Sequence, residues 1–279
     1  MNSILIFILI NFMILINALK VAVLGGTGFV GQNMIKAGLK RDAEIVSLSR
    51  RGTPSLSESE SESESSISSS NGSVKYLKCD CINTDSLNTI IKNEGPFDAY
   101  IHCVGLLLDT ESGLSQFNKL ASGSGSEPDS SSSTYDNVTR KTAFNIIESI
   151  ESNNNNNNNN IPFVFVSAAE AGWTIPTPID WLERYLIAKR AVENKLINES
   201  KNIREIILRP SLIWTWERPQ ALASVIPFYI GNSIGLPFID KPVLVEDLSE
   251  SAWNAIEIND EQGIFRYMDM ERLVIKEKC

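Results

Sequence analysis

KVAVLGGTGFVG, residues 20–31, is the stretch that decides how this chain folds. Its first five residues form a short apolar run that predicts a strand, and a helical pattern begins at Gly28. Between the two, Gly25 permits a tight turn, Gly28 lets the backbone approach a pyrophosphate, and Gly31 allows the helix to pack closely on the strand. The helix N-terminus adds unpaired N–H groups and a partial positive charge. The stretch therefore predicts the phosphate-binding turn of a dinucleotide-binding Rossmann domain. The residues expected to hold the cofactor there are Gly25, Thr27, Gly28, Phe29, Val30 and Gly31.

Strands and helices alternate along the rest of the chain. Short apolar runs predict further strands at residues 44–48, 74–77, 99–104, 162–167 and 205–208. Helical spacing of apolar residues predicts helices at residues 28–39, 85–93, 135–150, 181–198 and 249–258. The last of these is expected to be the final helix, with Ala252, Trp253 and Ile256 facing inward. The alternation predicts an α/β fold with a doubly wound parallel sheet, followed after Arg209 by a small C-terminal substrate-side region.

Three low-complexity segments interrupt the alternation, at residues 53–73, 120–133 and 153–160. They consist mainly of Ser and Glu, of Ser and Gly, and of Asn, respectively. None can bury enough apolar surface to offset the entropy lost on ordering, so all three are predicted to be disordered loops. Because loops absorb insertions at little cost in free energy, residues 20–279 are predicted to form one domain.

Residues 1–19 contain no charged side chain. They resemble the apolar part of a signal peptide or a short membrane anchor without its basic flank, and they lack the Arg-rich amphipathic pattern of a mitochondrial presequence. A mispredicted start, or a hydrophobic leader packed on the domain, would give the same pattern. Since the first strand begins at Lys20 with no linker, a removable leader or loose membrane association is favoured over a stable anchor.

Charge and residue counts exclude several classes of function. The net charge of −9 includes four glutamates of the 53–73 segment, which leaves about −5 for the rest and no basic stripe, so nucleic acid is not an expected partner. The cysteines lack the spacing of a metal site or a disulfide framework, and we expect no metal. They are predicted to be small apolar residues at the ends of buried strands: Cys79, Cys81, Cys103 and Cys279. The only histidine, His102, lies in an apolar run and is predicted to be a strand residue, which excludes a mechanism with two imidazoles.

The second predicted strand ends in Ser-Arg-Arg-Gly, residues 49–52, where a carboxylate would favour NAD by binding the adenosine ribose. Guanidinium groups instead fit a 2′-phosphate, so Arg50 and Arg51 favour NADP, with NAD as the alternative if both are solvated loop residues. Asp80, after the third strand, is expected near the adenine amino group. Val104 and Gly105, after the fourth strand, are expected to line the nicotinamide-side ribose.

A tyrosine and a lysine are four residues apart on one predicted helix, and hence on one face. The Lys189 ammonium is expected to lower the pKa of the Tyr185 phenol and to hold the nicotinamide ribose. Ser167, at the end of the preceding strand, is expected to polarise a substrate carbonyl. The alternative is a structural tyrosine beside a solvated lysine.

Four motifs occur in one order along the chain: the glycine turn, VSAAEAG at 166–172, YLIAKRAVE at 185–193, and LRP at 208–210. Together they resemble the extended and atypical short-chain dehydrogenase/reductases over most of residues 20–258. Within that superfamily, these motifs and KPVLVEDLSESAWNAI at 241–256 are similar to the branch of NAD(P)-binding proteins in the mitochondrial coenzyme Q (ubiquinone) synthesis complex. Plastid relatives and the nucleotide-binding accessory subunit of respiratory complex I are neighbouring branches.

The resemblance implies the fold, a bound NAD(P), and a mitochondrial place beside membrane-bound quinone metabolism. By motif, the three glycines of the turn hold the pyrophosphate, and Ser167, Tyr185 and Lys189 occupy the catalytic positions. The chain departs from the superfamily where Ser211 follows Leu-Arg-Pro, where Trp-Thr replaces a Tyr-Gly pair, and where the fourth strand ends in His-Cys-Val-Gly. These departures bear on catalysis and leave nucleotide binding intact.

Residues 214–239 carry large aromatic side chains interleaved with prolines. Such a segment suits a lipophilic ring or a membrane-facing cleft, although a small C-terminal core would look the same. The aromatic residues are Trp214, Trp216, Phe228, Tyr229 and Phe238.

The sequence leaves three functional hypotheses. One is an NADPH-dependent reductase of a lipophilic carbonyl or quinone. Another is a non-catalytic nucleotide-binding assembly factor of a quinone-synthesis or respiratory complex, with proteins of that complex as partners. The third, a reductase of the secretory pathway, rests on the apolar leader and would be supported by glycan at Asn137 or Asn198.

Overall fold

The computed structural model describes residues 18–54, 72–106, 112, 134–153, 160–174, 177, 179–217, 222–236 and 239–276. Within them, seven parallel strands form one sheet in the order β3-β2-β1-β4-β5-β6-β9. Their bounds are β1 Lys20–Leu24, β2 Glu44–Ser49, β3 Ser73–Lys78, β4 Ala99–His102, β5 Ile161–Val166, β6 Ile203–Leu208 and β9 Gly263–Phe265. Two further short strands, β7 Ile213–Trp214 and β8 Val243–Leu244, pair with each other.

Helices cover both faces of the sheet, which is why most of its strands are continuous apolar runs rather than alternating ones. The helices are α1 Phe29–Leu39, α2 Thr84–Glu94, α3 Thr142–Asn153, α4 Asp180–Asn194, α5 Leu222–Ser233, α6 Val245–Glu257 and α7 Tyr267–Lys276. Two of these helices adjoin a wider, π-helical segment: Asp136–Lys141 precedes α3, and Lys195–Glu199 follows α4. Among the described helices, none combines the length and apolarity needed to cross a bilayer.

The core lies in two layers, one on each side of the sheet. In the layer beneath α1 and α6, the fully buried Trp253 fills the space that the absent side chain of Gly38 leaves open. A Cβ on Gly38 would lie 2.2 Å from the indole ring. The indole N–H donates to the Met34 carbonyl at 2.9 Å, so α6 is fixed on α1 by packing and by a hydrogen bond. This pairing also fixes α1, whose N-terminus faces the glycine turn.

The predicted doubly wound parallel sheet is confirmed, and so is the inward packing of Ala252, Trp253 and Ile256. The prediction that residues 249–258 form the final helix was wrong in two respects. The helix, α6, begins earlier, at Val245, and it is not the last element, because β9 and α7 follow it. The chain after α6 therefore adds a seventh strand beside β6. Strand β9 has only three residues, too few for a periodic signal.

The predicted loop segments and the leader lie mostly outside the described residues. At their edges, Ser73 is the first residue of β3 and Asn153 is the last residue of α3, so two of the predicted loops are shorter than expected. Residues 120–133 and the apolar residues 1–17 lie outside the described part of the chain.

Candidate functional site

A cleft lies at the carboxyl ends of the first four strands, where the strand order reverses between β1 and β4. In open α/β sheets this reversal is where ligands bind. The cleft encloses about 800 Å³, including the part open to solvent, and we call it the switch-point cleft. Its described lining consists of Gly25, Thr27, Gly28, Leu48, Ser49, Arg50, Arg51, Cys79, Asp80, Cys81, Ile82, Cys103, Val104, Gly105, Leu106, Val138 and Thr142.

The structure brings most of the predicted cofactor residues into this lining. They are Gly25, Thr27, Gly28, Arg50, Arg51, Asp80, Val104 and Gly105. Phe29, Val30 and Gly31 form the first turn of α1 just behind the cleft wall, and Lys189 lies behind Gly105. Ser49, Cys79, Cys81 and Thr142 also line the cleft but were not predicted as cofactor residues from motif spacing. The rule that strand ends line the switch point would have predicted Ser49 and Cys79.

Two glycines of the turn are required by geometry. Gly25 has a φ of +82°, and a Cβ there would lie 3.0 Å from backbone atoms of Cys103 and Val104 at the end of β4. At Gly31 a Cβ would lie 2.2 Å from the Gly25 carbonyl oxygen, so α1 can pack on the turn only with a glycine there. At Gly28, by contrast, the nearest atom would be 3.3 Å away. The fold therefore depends on Gly25 and Gly31, whereas the space beside the Gly28 Cα is open to the cleft.

The N-terminus of α1 opens on the switch-point cleft through Gly28, which has an extended backbone and is not capped by a side chain. No acidic residue lies in the first turn of α1. The backbone N–H groups of a first helical turn lack intrahelical partners and attract anions. The turn and the helix thus form a cradle that fits a pyrophosphate.

Arg50 and Arg51 are exposed at the rim of the cleft, in a tight turn closed by the Gly52 N–H, which donates to the Ser49 carbonyl at 3.1 Å. Neither guanidinium has an ion pair or hydrogen bond with any residue that the structure describes. Within that part of the chain, both guanidinium groups are open to an anion. Across the rim, Asp80 accepts a hydrogen bond from the Ile82 N–H at 3.1 Å, which holds the loop after β3 in place.

Lys189 lies at the other end of the cleft wall. Its side chain is buried, and its ammonium donates to the Val166 carbonyl at 2.7 Å and lies 3.8 Å from the Cβ position of Gly105. Burial lowers the pKa of Lys189 to about 8, and the nearby Glu193 carboxylate counteracts part of this shift. The Thr139 hydroxyl, in the π-helical turn, is buried without a hydrogen-bond partner among the described residues and lies 3.9 Å from the same Cβ position. Lys189 and Thr139 thus present donors directly behind the predicted ribose position.

Tyr185 lies on the same face of α4 as Lys189, as predicted, and the ammonium lies 5.5 Å from the centre of the tyrosine ring. The expected effect on the phenol is absent: burial, with a smaller contribution from the Glu170 carboxylate, raises the pKa of Tyr185. Its ring packs edge-on against Tyr135 at 5.5 Å between centroids. The cation faces the ring rather than stabilising a phenolate, which corrects the predicted pKa direction.

Ser167 directly follows β5, but its hydroxyl donates to the Glu193 carboxylate at 2.6 Å. That carboxylate also accepts two hydrogen bonds from Arg209, at 2.9 and 2.5 Å. A hydroxyl has one hydrogen to donate, so the predicted polarisation of a substrate carbonyl by Ser167 is not available in this arrangement. The three residues instead form a buried cluster that joins the ends of β5 and β6 to α4. Its glutamate belongs to the YxxxKRxxE motif and its arginine to the LRP motif, and neither motif by itself predicts this contact.

His102 is a buried strand residue, as predicted. Its Nε2 lies 2.9 Å from the Thr142 hydroxyl, whose hydrogen is donated to the Val138 carbonyl, so the ring donates at Nε2. Burial lowers the pKa of His102 to about 3, which keeps the imidazole neutral.

The aromatic segment forms a small cluster around β7 with an apolar outer surface. Trp214 is buried and packs edge-on against Trp216 and Tyr229. The outer surface is formed by Trp216, Ile226, Ile230, Ile234 and Leu236, which are 46–68% exposed. None of the described aromatic side chains of this segment belongs to the lining of the switch-point cleft, and Phe238 lies outside the described residues. Trp214 thus belongs to a small core and its neighbours present an apolar face to solvent, whereas a lipophilic ring or a membrane at this face stays a prediction.

Comparison with known proteins gives the same fold. Residues 21–120 match the NAD dependent epimerase/dehydratase family. The chain is 23% identical to MIOREX complex component 2 of Saccharomyces cerevisiae, in an alignment that covers 88% of this chain and 96% of the yeast protein.

Two solved structures illustrate the likeness in three dimensions. The UDP-glucose 4-epimerase of Thermus thermophilus, solved with NAD, superposes with a TM-score of 0.55 at 16% identity, covering 92% of this chain and 81% of the epimerase. A variant of ElxO solved with NADPH superposes with a TM-score of 0.59 at 15% identity, covering 89% and 96% of the two chains.

The family match covers the glycine turn and the strands on either side of the switch point, and the solved structures share the fold over about nine tenths of the chain. The resemblance to the extended short-chain dehydrogenase/reductases is therefore confirmed, and the chain has their nucleotide-binding fold.

Proposed function

We propose that this chain binds a nicotinamide dinucleotide in the switch-point cleft, prefers NADP, and serves membrane-bound quinone metabolism in mitochondria. The observation that carries the proposal is the cleft itself. At its centre a glycine turn leaves room for a pyrophosphate at Gly28, and at its rim lie the guanidinium groups of Arg50 and Arg51, which pair with no other residue in the described part of the chain. The place in quinone metabolism is supported by the motif resemblance in the sequence.

The preference for NADP is tested by Arg50→Asp. We expect this change to weaken NADPH binding about tenfold or more, because a charge-assisted bond to the 2′-phosphate is replaced by repulsion, and to leave NADH binding nearly unchanged. Calorimetric titration of the purified protein with each cofactor measures both constants. Lys201→Asp, at another exposed cation, is the matched control for net charge. Equal binding of the two cofactors by the unchanged protein would remove the 2′-phosphate role of Arg50 and Arg51.

We infer that the bound nucleotide serves assembly rather than catalysis, and that the chain is a nucleotide-dependent component of a quinone-synthesis complex. Two features of the site support this role over catalysis. The Ser167 hydroxyl is committed to Glu193, and burial raises rather than lowers the pKa of Tyr185. The yeast relative is itself named as a component of a complex.

A reductase of a lipophilic carbonyl or quinone is the second candidate, favoured by the position of Lys189. A bound nicotinamide would supply the hydride. Lys189 would hold its ribose from behind Gly105, and Tyr185, on the same face of α4, would donate the proton. Access of a substrate to the Tyr185 hydroxyl is what this candidate requires.

Tyr185→Phe separates the two candidates. We expect cells that depend on this chain to keep their quinone level with Tyr185→Phe, because the change removes only the phenol hydroxyl and retains the ring packed on Tyr135. Quinones extracted from such cells are measured by chromatography. A variant that cannot bind nucleotide, Gly28→Val, should lower the level. A comparable loss with Tyr185→Phe, in protein that still binds nucleotide, would instead establish the reductase.

Membrane association is proposed to involve the apolar surface around α5. Ile226, Ile230 and Ile234 are spaced by four residues and exposed by 54–68%, and residues 219–239 contain no charged side chain. Exposed apolar side chains at this spacing, with aromatic neighbours, suit insertion at the interface of a lipid bilayer.

Replacing these three isoleucines by serine tests the association. We expect the bound fraction in vesicle flotation to fall at least about fivefold, since each buried isoleucine contributes roughly 1.5–3 kcal/mol. Neutral phosphatidylcholine vesicles are the appropriate probe, because the chain carries a net charge of −9 and gains nothing from an anionic surface. Serine at Ile187 and Ile197, exposed on and just after α4, gives the control. Flotation that is unchanged by the α5 variant and lowered by the control would contradict the proposal.

A further inference from the structure

Two thiols form part of the wall of the switch-point cleft, next to the carboxylate expected to meet the adenine. Cys79 directly follows β3, and its backbone N–H donates to the Ser49 carbonyl at 2.9 Å, which continues the pairing with β2. Cys81 is separated from it only by Asp80, and all three residues line the cleft. Both residues are free cysteines and only 2% and 5% exposed, so the open cleft whose wall they form is the route by which a small reagent reaches them.

Cys79 and Cys81 flank Asp80 on the same stretch of the cleft wall, close enough in the chain for each thiol to affect the ionisation of the other. The neighbouring Cys81 thiol is the main cause that lowers the pKa of Cys79, with a smaller effect from the Ser86 hydroxyl at 4.0 Å. The neighbouring Cys79 thiol and burial raise the pKa of Cys81. Because a thiolate is the reactive form of cysteine, Cys79 is the nucleophile of the pair and Cys81 is the second, resolving thiol.

We propose that Cys79 and Cys81 are a redox modification site, at which a hydroperoxide closes a Cys79–Cys81 disulfide and thereby weakens dinucleotide binding in the adjoining cleft. The effect on binding rests on the proposed function; the disulfide itself does not.

Hydrogen peroxide is the only oxidant that the formation of the disulfide requires. The Cys79 thiolate attacks one oxygen of the peroxide, the O–O bond breaks, and a sulfenic acid and hydroxide are formed. The Cys81 thiol then attacks the Cys79 sulfur, the S–OH bond breaks, and the sulfenic oxygen leaves as water. The Cys81 proton leaves in that water, and the proton that Cys79 released on ionising neutralises the hydroxide. In total the two thiols lose two electrons and two protons, and one hydrogen peroxide becomes two waters.

Closure of the disulfide changes the adenine side of the cleft. The bond brings the two sulfurs to about 2.05 Å, which is closer than any unbonded pair of thiols approaches, and the segment between them must bend. That segment is Asp80, whose carboxylate is set by the Ile82 N–H. The loop cannot simply swing outward, because the Asn145 amide donates to the carbonyls of both Cys81 and Ile82, at 2.9 and 3.0 Å. The strain therefore falls on Asp80, at the rim of the dinucleotide site.

The test is peroxide treatment of the purified protein followed by tryptic mass mapping. Cleavage after Lys78 and Lys92 places Cys79 and Cys81 together on one peptide, apart from Cys103 and Cys279. We expect this peptide to lose two hydrogens, to regain them with dithiothreitol, and to react more slowly when NADPH is present. Cys81→Ser should instead trap the Cys79 sulfenic acid, detected with a dimedone probe, and Cys279→Ser, at the last residue of the sequence, should behave as the unchanged protein.

Calorimetry of the same samples tests the effect on binding. We expect the oxidised protein to bind NADPH about tenfold more weakly, with full recovery on reduction. A peptide that keeps its two hydrogens while Cys103 oxidises would overturn the modification site. A disulfide with unchanged NADPH affinity would overturn its effect on binding. Reduced protein that binds neither NADPH nor NADH would refute the proposed function, and the mass result would still stand.

Discussion

Gly28→Val is expected to weaken NADPH binding about a hundredfold or more while leaving the fold nearly unchanged. A Cβ at this position would meet only the Gly25 carbonyl oxygen, at 3.3 Å, so a shift of a few tenths of an ångström accommodates it. The backbone there is extended, with φ −83° and ψ 170°, which a β-branched residue adopts readily. The added methyl groups therefore project into the cleft, in the space that a pyrophosphate would take beside the N-terminus of α1. Calorimetric titration and thermal unfolding of one preparation measure both effects.

Gly31→Val is the matched contrast, three residues further along the same turn. Its Cβ would lie 2.2 Å from the Gly25 carbonyl oxygen and 2.7 Å from the Gly26 Cα, both of them backbone atoms that cannot rotate away. We expect a loss of about 3 kcal/mol or more in the free energy of unfolding, at the upper end of overpacking effects. If Gly28→Val destabilised the protein as much as Gly31→Val, loss of binding would report unfolding. If it bound NADPH normally, the pyrophosphate would not lie at this turn.

The different expected effects of valine at Gly28 and at Gly31 show how much of such a site can be predicted from a sequence. The strand, the turn and the helix were predicted because their residues are contiguous and each follows a local rule. The ends of other parallel strands lie at the same sheet edge, so the sequence alone predicts that Arg50, Asp80 and Val104 share one cleft. Local rules did not distinguish Gly28, which faces the ligand, from Gly31, which faces the backbone.

The direction of side-chain interactions was harder to predict. The spacing of Tyr185 and Lys189 gave their shared face, but not that the ammonium would face the ring or that burial would raise the pKa of the phenol. The role of Ser167 depended on Glu193, which is distant in sequence from both Ser167 and the Leu-Arg-Pro motif. Such contacts are set by tertiary packing between β5, α4 and β6, and they cannot be predicted from local patterns in a single sequence.

Glu193→Gln is expected to cause the largest loss of stability among single charge-neutralising substitutions in this site, about 3–5 kcal/mol in the free energy of unfolding. The Glu193 side chain is 5% exposed and the Arg209 side chain 16% exposed. The carboxylate accepts one hydrogen bond from Ser167 and two from Arg209. Removing the negative charge leaves a buried guanidinium without its counterion, which costs more than the pair contributed when formed. For a protein of this size, the midpoint of thermal unfolding should fall by roughly 6–20 °C.

Matched variants separate the buried pair from a general effect of losing a carboxylate. Glu199→Gln, at an exposed position just after α4, should change stability by no more than about 0.5 kcal/mol. Replacing both partners, Glu193→Leu with Arg209→Met, should recover most of the loss, because two apolar side chains of similar size leave no charge uncompensated. If Glu193→Gln unfolded at the same temperature as Glu199→Gln, Arg209 would have another partner. Recovery in the double variant would show instead that the cluster positions α4, and with it Lys189 one turn away, through charge compensation between the ends of two strands.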